Sequence, residues 1–259
     1  MLSYFNFNEY EVLAFFLVLI RLSAFIVSWP VFDAPSIPMP VKILFSLVLS
    51  FLIFPLVGHD KLENSLLENQ IILLAIREAF IGLAFGYLAK MFFFAIRIAG
   101  EIISVSIGLS SSQLFNPAFG SQVSSIEQLK LIVGSLFFLS INGHHLLLMG
   151  LVDTFRILPL ELRMIHFDQF VAVGTFVQEI TVVGLKIASP VLISIFFMNM
   201  TMAIVGRTVP QINVLITSLP VNILLGFTIL FVSMPLLVWQ MHDLLDLTTS
   251  RVFSLMRTF

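Results

Sequence analysis

Cysteine is absent from this 259-residue chain, which removes disulfides, thiolate catalysis and cysteine metal sites. Charge is nearly as scarce. Asp, Glu, Lys and Arg make up 11% of the residues, against about 25% in a soluble domain, too few to cover a water-facing surface. The net charge is −2, so the basic excess that draws a protein to nucleic acid is missing. No Gly-rich phosphate loop, Gly-x-Ser-x-Gly elbow or paired-aspartate signature occurs. His144 and His145 are the only adjacent histidines, and neighbours on a helix diverge by about 100°, a poor chelate. Catalytic residues, metal ligands and cofactors are therefore expected to be absent.

What the chain has is apolar surface: 59% hydrophobic residues, 28 of them Phe, and a mean hydropathy of +1.06. This composition predicts an all-α, polytopic membrane protein. Six apolar stretches stand out: 12–32, 41–58, 71–107, 129–151, 170–205 and 212–239. A spanning helix needs about 20 apolar residues. Two of the stretches are far longer, which leaves open one long tilted helix or two with a break. Pro190 is expected to kink the fifth, and Pro220 and Pro235 to interrupt the last. The linker at 29–42 carries Pro30, Pro35, Pro38 and Pro40 and reads as stiff and extended. The stretch 58–70 is the most polar. The tail has apolar residues at helical spacing (Leu244, Leu245, Leu247, Val252, Phe253, Leu255, Met256), the pattern of an interfacial or docking helix. The N-terminus lacks the positive start and small-residue cleavage site of a secretory signal, so the first apolar segment is expected to remain. Lys and Arg are spread over most loops, and the positive-inside rule selects no orientation.

Arg21, Arg77, Glu78, Lys90, Arg97, Glu101, Glu179 and Lys186 lie inside the apolar stretches. Each costs roughly 2.5–3.5 kcal/mol at the centre of a lipid-embedded helix, so each must pair, snorkel or face something wet. Lys90 and Arg97 share a helical face, as do Glu179 and Lys186 at the same spacing of seven. One reading is an ion or proton pathway. The other is structural pairing within an assembly.

Gly82 and Gly86 form a Gly-x-x-x-Gly, which permits close helix approach, and Gly100, Ser104, Gly108 and Ser112 continue a small-residue stripe. That stripe runs into an insert at 108–125, GLSSSQLFNPAFGSQVSS, in which six of eighteen residues are Ser and none is charged. By composition alone it is a plain surface loop.

Larger motifs alter that reading. GRTVPQINVLITSLPVNILLG (206–226) resembles the signature of the FliR family of flagellar export-gate proteins and its virulence type III secretion counterparts. Arg207, Pro210, Gln211 and Pro220 carry the match. REAFIGLAFGY (77–87), Arg21 followed by the Pro-rich linker ending in Lys42, and the insert itself agree in order and spacing. Asn116 replaces an acidic residue often found before the proline of the insert.

The resemblance implies a non-enzymatic subunit, present once in a gate with several FliP-like and FliQ-like chains, with FlhB around its base and FlhA beneath. It implies a FliP-like helical part at 1–170 fused to a FliQ-like hairpin and amphipathic helix at 171–259. Much of such a complex is lifted out of the bilayer plane, in the inner membrane at the flagellar basal body. The insert is implied to plug a pore for unfolded export substrates, with Gly108, Ser110, Ser111, Ser112, Asn116, Pro117 and Gly120 as supple elements and Phe115 and Phe119 as an apolar constriction. The turn at Arg207–Gln211 is implied to contact a partner chain, with lipid around the remainder. Two alternatives are a virulence secretion gate subunit and a secondary transporter with broken helices.

Overall fold

The computed structural model describes residues 9–29, 37–57, 71–109, 124–161, 170–211 and 213–256, and among them there is helix and no strand. The helices are α1 (Glu9–Ser28), α2 (Met39–Ile53), α3 (Ile71–Ile107), α4 (Ser125–Ser140), α5 (Gly143–Ile157), α6 (Phe170–Thr208), α7 (Val214–Val232) and α8 (Met234–Met256), with one 3-10 turn at Phe54–Leu56. The polar stretch 58–70 and two of the four prolines in the 29–42 linker, Pro30 and Pro35, lie outside the described residues. Pro38 and Pro40 bracket the first residue of α2, where a missing N–H costs nothing because the first turn leaves its N–H groups unpaired in any case.

Among the described residues four helices are long and apolar enough to cross a membrane, or up to six spans if each bent pair counts as one. The two longest stretches are continuous helices rather than broken pairs, of 37 residues in α3 and 39 in α6. At 1.5 Å per residue they run about 55 and 58 Å, well beyond a hydrocarbon core of about 30 Å. Pro190 does not end α6. Its ring removes the N–H that would have served the Lys186 carbonyl, and the Ser189 hydroxyl donates to that carbonyl at 2.7 Å instead, the local repair that lets proline persist in apolar helices. Pro220 is likewise accommodated within α7. The breaks fall elsewhere. Asn142, at φ 57°, separates α4 from α5, because a left-handed residue cannot continue a right-handed helix. A 60° bend separates α7 from α8, just ahead of Pro235.

By packing, the chain falls into two compact units that interleave along the sequence. One gathers Met1–Met91, Asn142–Thr175 and Leu247–Phe259, the other Phe92–Ile141 and Phe176–Asp246. In the first, Phe25 stacks on Trp29 and meets Phe85, a ring cluster between α1 and α3. In the second, Phe138 of α4 packs on Phe92 and Phe93 of α3. The tail helix docks: Met241, Leu244, Leu245, Thr248, Val252, Leu255 and Met256 of α8 are all buried.

The first unit depends on how closely α1 approaches α3. A Cβ at Gly82 would collide with the Arg21 carbonyl oxygen and lie 2.9 Å from the Ala24 Cβ, and one at Gly86 would strike the Ser28 side chain. Only hydrogen at these positions allows the backbones so near. At Gly174 of α6, by contrast, an added Cβ meets nothing within 4 Å. Alanine there is expected to stabilise by about 0.5–1 kcal/mol, the ordinary helical gain over glycine. Gly82→Ala, with the same local gain, is expected to lower stability by forcing α1 outward. Resistance to proteolysis on heating, measured on the two full-length variants in native membranes, checks this. A rise for Gly82→Ala would show that the close crossing is dispensable.

Candidate functional site

The close crossing sets a charged cluster in the first unit. Gly82 lies one turn along α3 from Glu78, and with α1 held against it the Arg21 side chain reaches that carboxylate. Arg21 Nε donates to Glu78 Oε2 at 2.5 Å, Nη1 to the Thr154 hydroxyl at 3.2 Å and Nη2 to the Leu158 carbonyl at 2.9 Å. The Phe155 ring covers the guanidinium, 4.1 Å from Cζ. Arg77 Nη1 donates at 3.0 Å to both Glu78 Oε1 and the Pro159 carbonyl. Arg21 and Glu78 are 0% exposed. The planar fork of one arginine thus ties α1 to α3, to α5 and to the turn that follows it.

In the second unit Arg97 Nε pairs with Glu127 Oε1 of α4 at 2.8 Å, rather than with Glu101, four residues along its own helix. A Cβ at Gly100 would lie 2.5 Å from the Glu127 Cα, so here too a glycine in α3 admits the helix that carries the partner charge. Lys130, one turn further along α4, is 2% exposed. Glu101 and Lys186 face outward, Lys90 and Glu179 are half-buried, and Glu179 lies nearly two turns from Lys186 on α6. Thr154, Phe155, Glu127 and Lys130 were not among the sequence candidates.

Of the insert, Gly108 is described, whereas Ser110, Ser111, Ser112, Phe115, Asn116, Pro117, Phe119 and Gly120 lie outside the described residues. Gly108 has φ 92°. Its N–H donates to the Val105 carbonyl at 3.1 Å, and that of Leu109 donates to the Ser104 carbonyl at 3.0 Å. These two bonds make a Schellman motif. Gly108 therefore stops α3 and launches the chain into the insert, which ends where Ser124 leads into α4.

The predicted turn at Arg207–Gln211 is the tip of a helical hairpin between α6 and α7. Arg207 closes α6, where a cation suits the negative end of the helix, and Pro210 and Gln211 are exposed in the turn. Asn213 caps α7, its side chain accepting from the Ile216 N–H at 3.4 Å. Further down the hairpin the Asn222 amide donates to Asn199 Oδ1 at 2.9 Å. Pro220 lies within α7 and away from the tip.

Replacing Arg21 separates charge from geometry. Lysine keeps the charge but, with one ammonium, cannot span acceptors on Glu78, Thr154 and Leu158. Arg21→Lys is expected to cost about 2 kcal/mol and Arg21→Met about 3–5 kcal/mol, read as the shift in thermal midpoint of the full-length protein in native membranes. A lysine variant of wild-type stability would show that charge alone is required there.

The family described as "Bacterial export proteins, family 1" matches residues 12–248. The chain is 32% identical to "Flagellar biosynthetic protein FliR" of Bacillus subtilis (strain 168) over 246 residues, 94% of each protein. It is 29% identical to the protein of that name from Escherichia coli (strain K12), over 86% of this chain and 85% of the other. For Aquifex aeolicus (strain VF5) the figure is 28%, over 86% of each. The match takes in the Arg21 cluster, both flanks of the insert and the hairpin turn, and this helical membrane chain belongs to the FliR family of bacterial export proteins.

Proposed function

We propose that the chain is a non-enzymatic subunit of the flagellar type III protein export gate, forming and closing the export pore with FliP-type and FliQ-type subunits in the bacterial inner membrane, at the flagellar basal body. The observation that carries this reading is the family match over residues 12–248, on a chain that buries Arg21, Arg77, Glu78, Glu127 and Lys130 while large apolar faces stay open. Phe196 and Phe197 of α6, Leu224 of α7 and Val232 at the end of α7 are all more than half exposed. Neighbouring helices of an assembly, with lipid at its edge, would cover such faces.

In this reading residues 1–170 serve as the FliP-like part and 171–259 as the FliQ-like hairpin with its amphipathic tail. FlhB and FlhA lie at the base, and the exposed tip at Arg207, Pro210 and Gln211 meets FlhB or a FliQ-type chain. The insert closes the pore against ions and yields to an unfolded substrate. Small uncharged residues bind no passing segment tightly, and Phe115 and Phe119 exclude water. The Schellman stop at Gly108 supports this, because it fixes where a rigid helix gives way to the insert.

Deleting residues 110–120 is expected to leave the complex assembled, since loops tolerate deletion better than packed helices, and to raise the ion conductance of the cell membrane. Charged replacements at Phe115 or Phe119 should leak more than replacements at Ser110 or Ser111. An assembled complex with wild-type impermeability would show that the seal lies elsewhere.

A further inference from the structure

The first turns of α8 have two faces. Leu237, Met241, Leu244 and Leu245 are buried, and at Gly134 of α4 an added Cβ would come within 3.3 Å of the Met241 methyl. The other face, at Pro235, Val238, Trp239 and His242, is exposed. Together with Asp243 and with Phe137 of α4 it lines a groove of about 400 Å³ in the second unit. Two of these residues lack an answering group. Trp239 is 65% exposed, and among the described residues its ring meets no other ring and its N–H no acceptor. Asp243 is exposed one turn further along, and among the described residues its carboxylate makes no hydrogen bond or ion pair. The neighbouring histidine is turned elsewhere, with His242 Nδ1 3.4 Å from Asp246 Oδ2.

We propose that this groove seats an arginine of a neighbouring gate chain, its guanidinium stacked on Trp239 and paired with Asp243. The inference rests on the gate reading and gives the chemistry of one contact within it. Charge selects the occupant. A wholly apolar partner laid over the groove would shut the Asp243 carboxylate away from water with no counter-charge, which is strongly unfavourable. An anionic group, from lipid or from protein, would meet the carboxylates of Asp243 and Asp246. A cation satisfies both the acid and the open indole face. Residues four apart on a helix are neighbours, so ring and carboxylate are offered together. A planar guanidinium can lie on the ring and still donate from its edge to the carboxylate, which a compact ammonium does less well. Phe137, Pro235 and Val238 provide apolar walls for the aliphatic stem of such a side chain.

The test places a photoreactive residue at position 236, one turn before Trp239 and 43% exposed in the native Leu. The full chain is co-produced with FliP-type, FliQ-type and FlhB-type chains, the complex is purified in mild detergent, and the crosslinked peptides are sequenced. One partner chain is expected, captured within one helical turn of an arginine. Asp243→Asn, which alters an exposed side chain with no bond inside the protein, should lower the yield about tenfold, the effect of losing one charge-assisted contact. Asp243→Arg should do the same, and exchanging the mapped arginine for aspartate should restore the yield. The inference is overturned by an assembled complex in which position 236 captures lipid, detergent, or a segment without arginine, or in which the yield is unchanged by Asp243→Asn. Failure of the wild-type chain to co-purify with those partners would overturn the gate reading and this inference together.

Discussion

The contact on which the first unit depends is the buried bond between Arg21 and Glu78. A carboxylate and a guanidinium at zero exposure would each be costly alone in an apolar protein. They are tolerable here because every named neighbour answers them: a hydroxyl from Thr154, carbonyls from Leu158 and Pro159, a second guanidinium from Arg77, and the face of Phe155. That set of partners exists only if α1 lies against the glycines of α3 and the end of α5 folds back beneath it. The pair is therefore less a source of net stability than a condition on register: a slide of one helical turn would strand two charges in an oily interior.

The second unit applies the same device more loosely. Gly100 admits α4, and Glu127 meets an Arg97 that is itself half in solvent. Its hairpin, α6 with α7, relies on the amide contact between Asn199 and Asn222 within apolar surroundings. Both units pair polar groups within largely apolar cores and leave many further Phe and Leu residues exposed, which a soluble domain does not. Such a chain is satisfied by lipid or by other helices, and the gate proposal assigns most of that surface to other helices.

Much of this was legible beforehand. Composition alone implied helices in a membrane, and the small-residue spacing marked the places where helices cross. The positions of the ionisable residues were evident, but most of their partners were not. Thr154 and the carbonyls of Leu158 and Pro159 carry no formal charge, and residues 57 to 137 positions distant in sequence become neighbours only through packing. Glu127 lies two residues ahead of the apolar stretch that starts at Leu129, in the polar first turn of α4, so hydropathy does not mark it. Pro220, expected to interrupt its stretch, misled in the other direction. Pro190 and Pro220 sit inside continuous helices because, at least for Pro190, a neighbouring serine serves the orphaned carbonyl. Asn142, which carried no proline warning, breaks the fourth stretch in two. Asn213 could have been read as a cap, standing directly before an apolar run. The residues of the insert between Ser110 and Gly120 rest on the motif resemblance.

The central claim is that this chain completes its surface only inside an assembly. Producing it alone and together with FliP-type and FliQ-type chains, then measuring composition and mass after purification in mild detergent, tests this most directly. The account predicts aggregation or degradation of the lone chain, and one discrete complex containing a single copy of it when the partners are present. A monodisperse, folded monomer that gains nothing from those partners would contradict it.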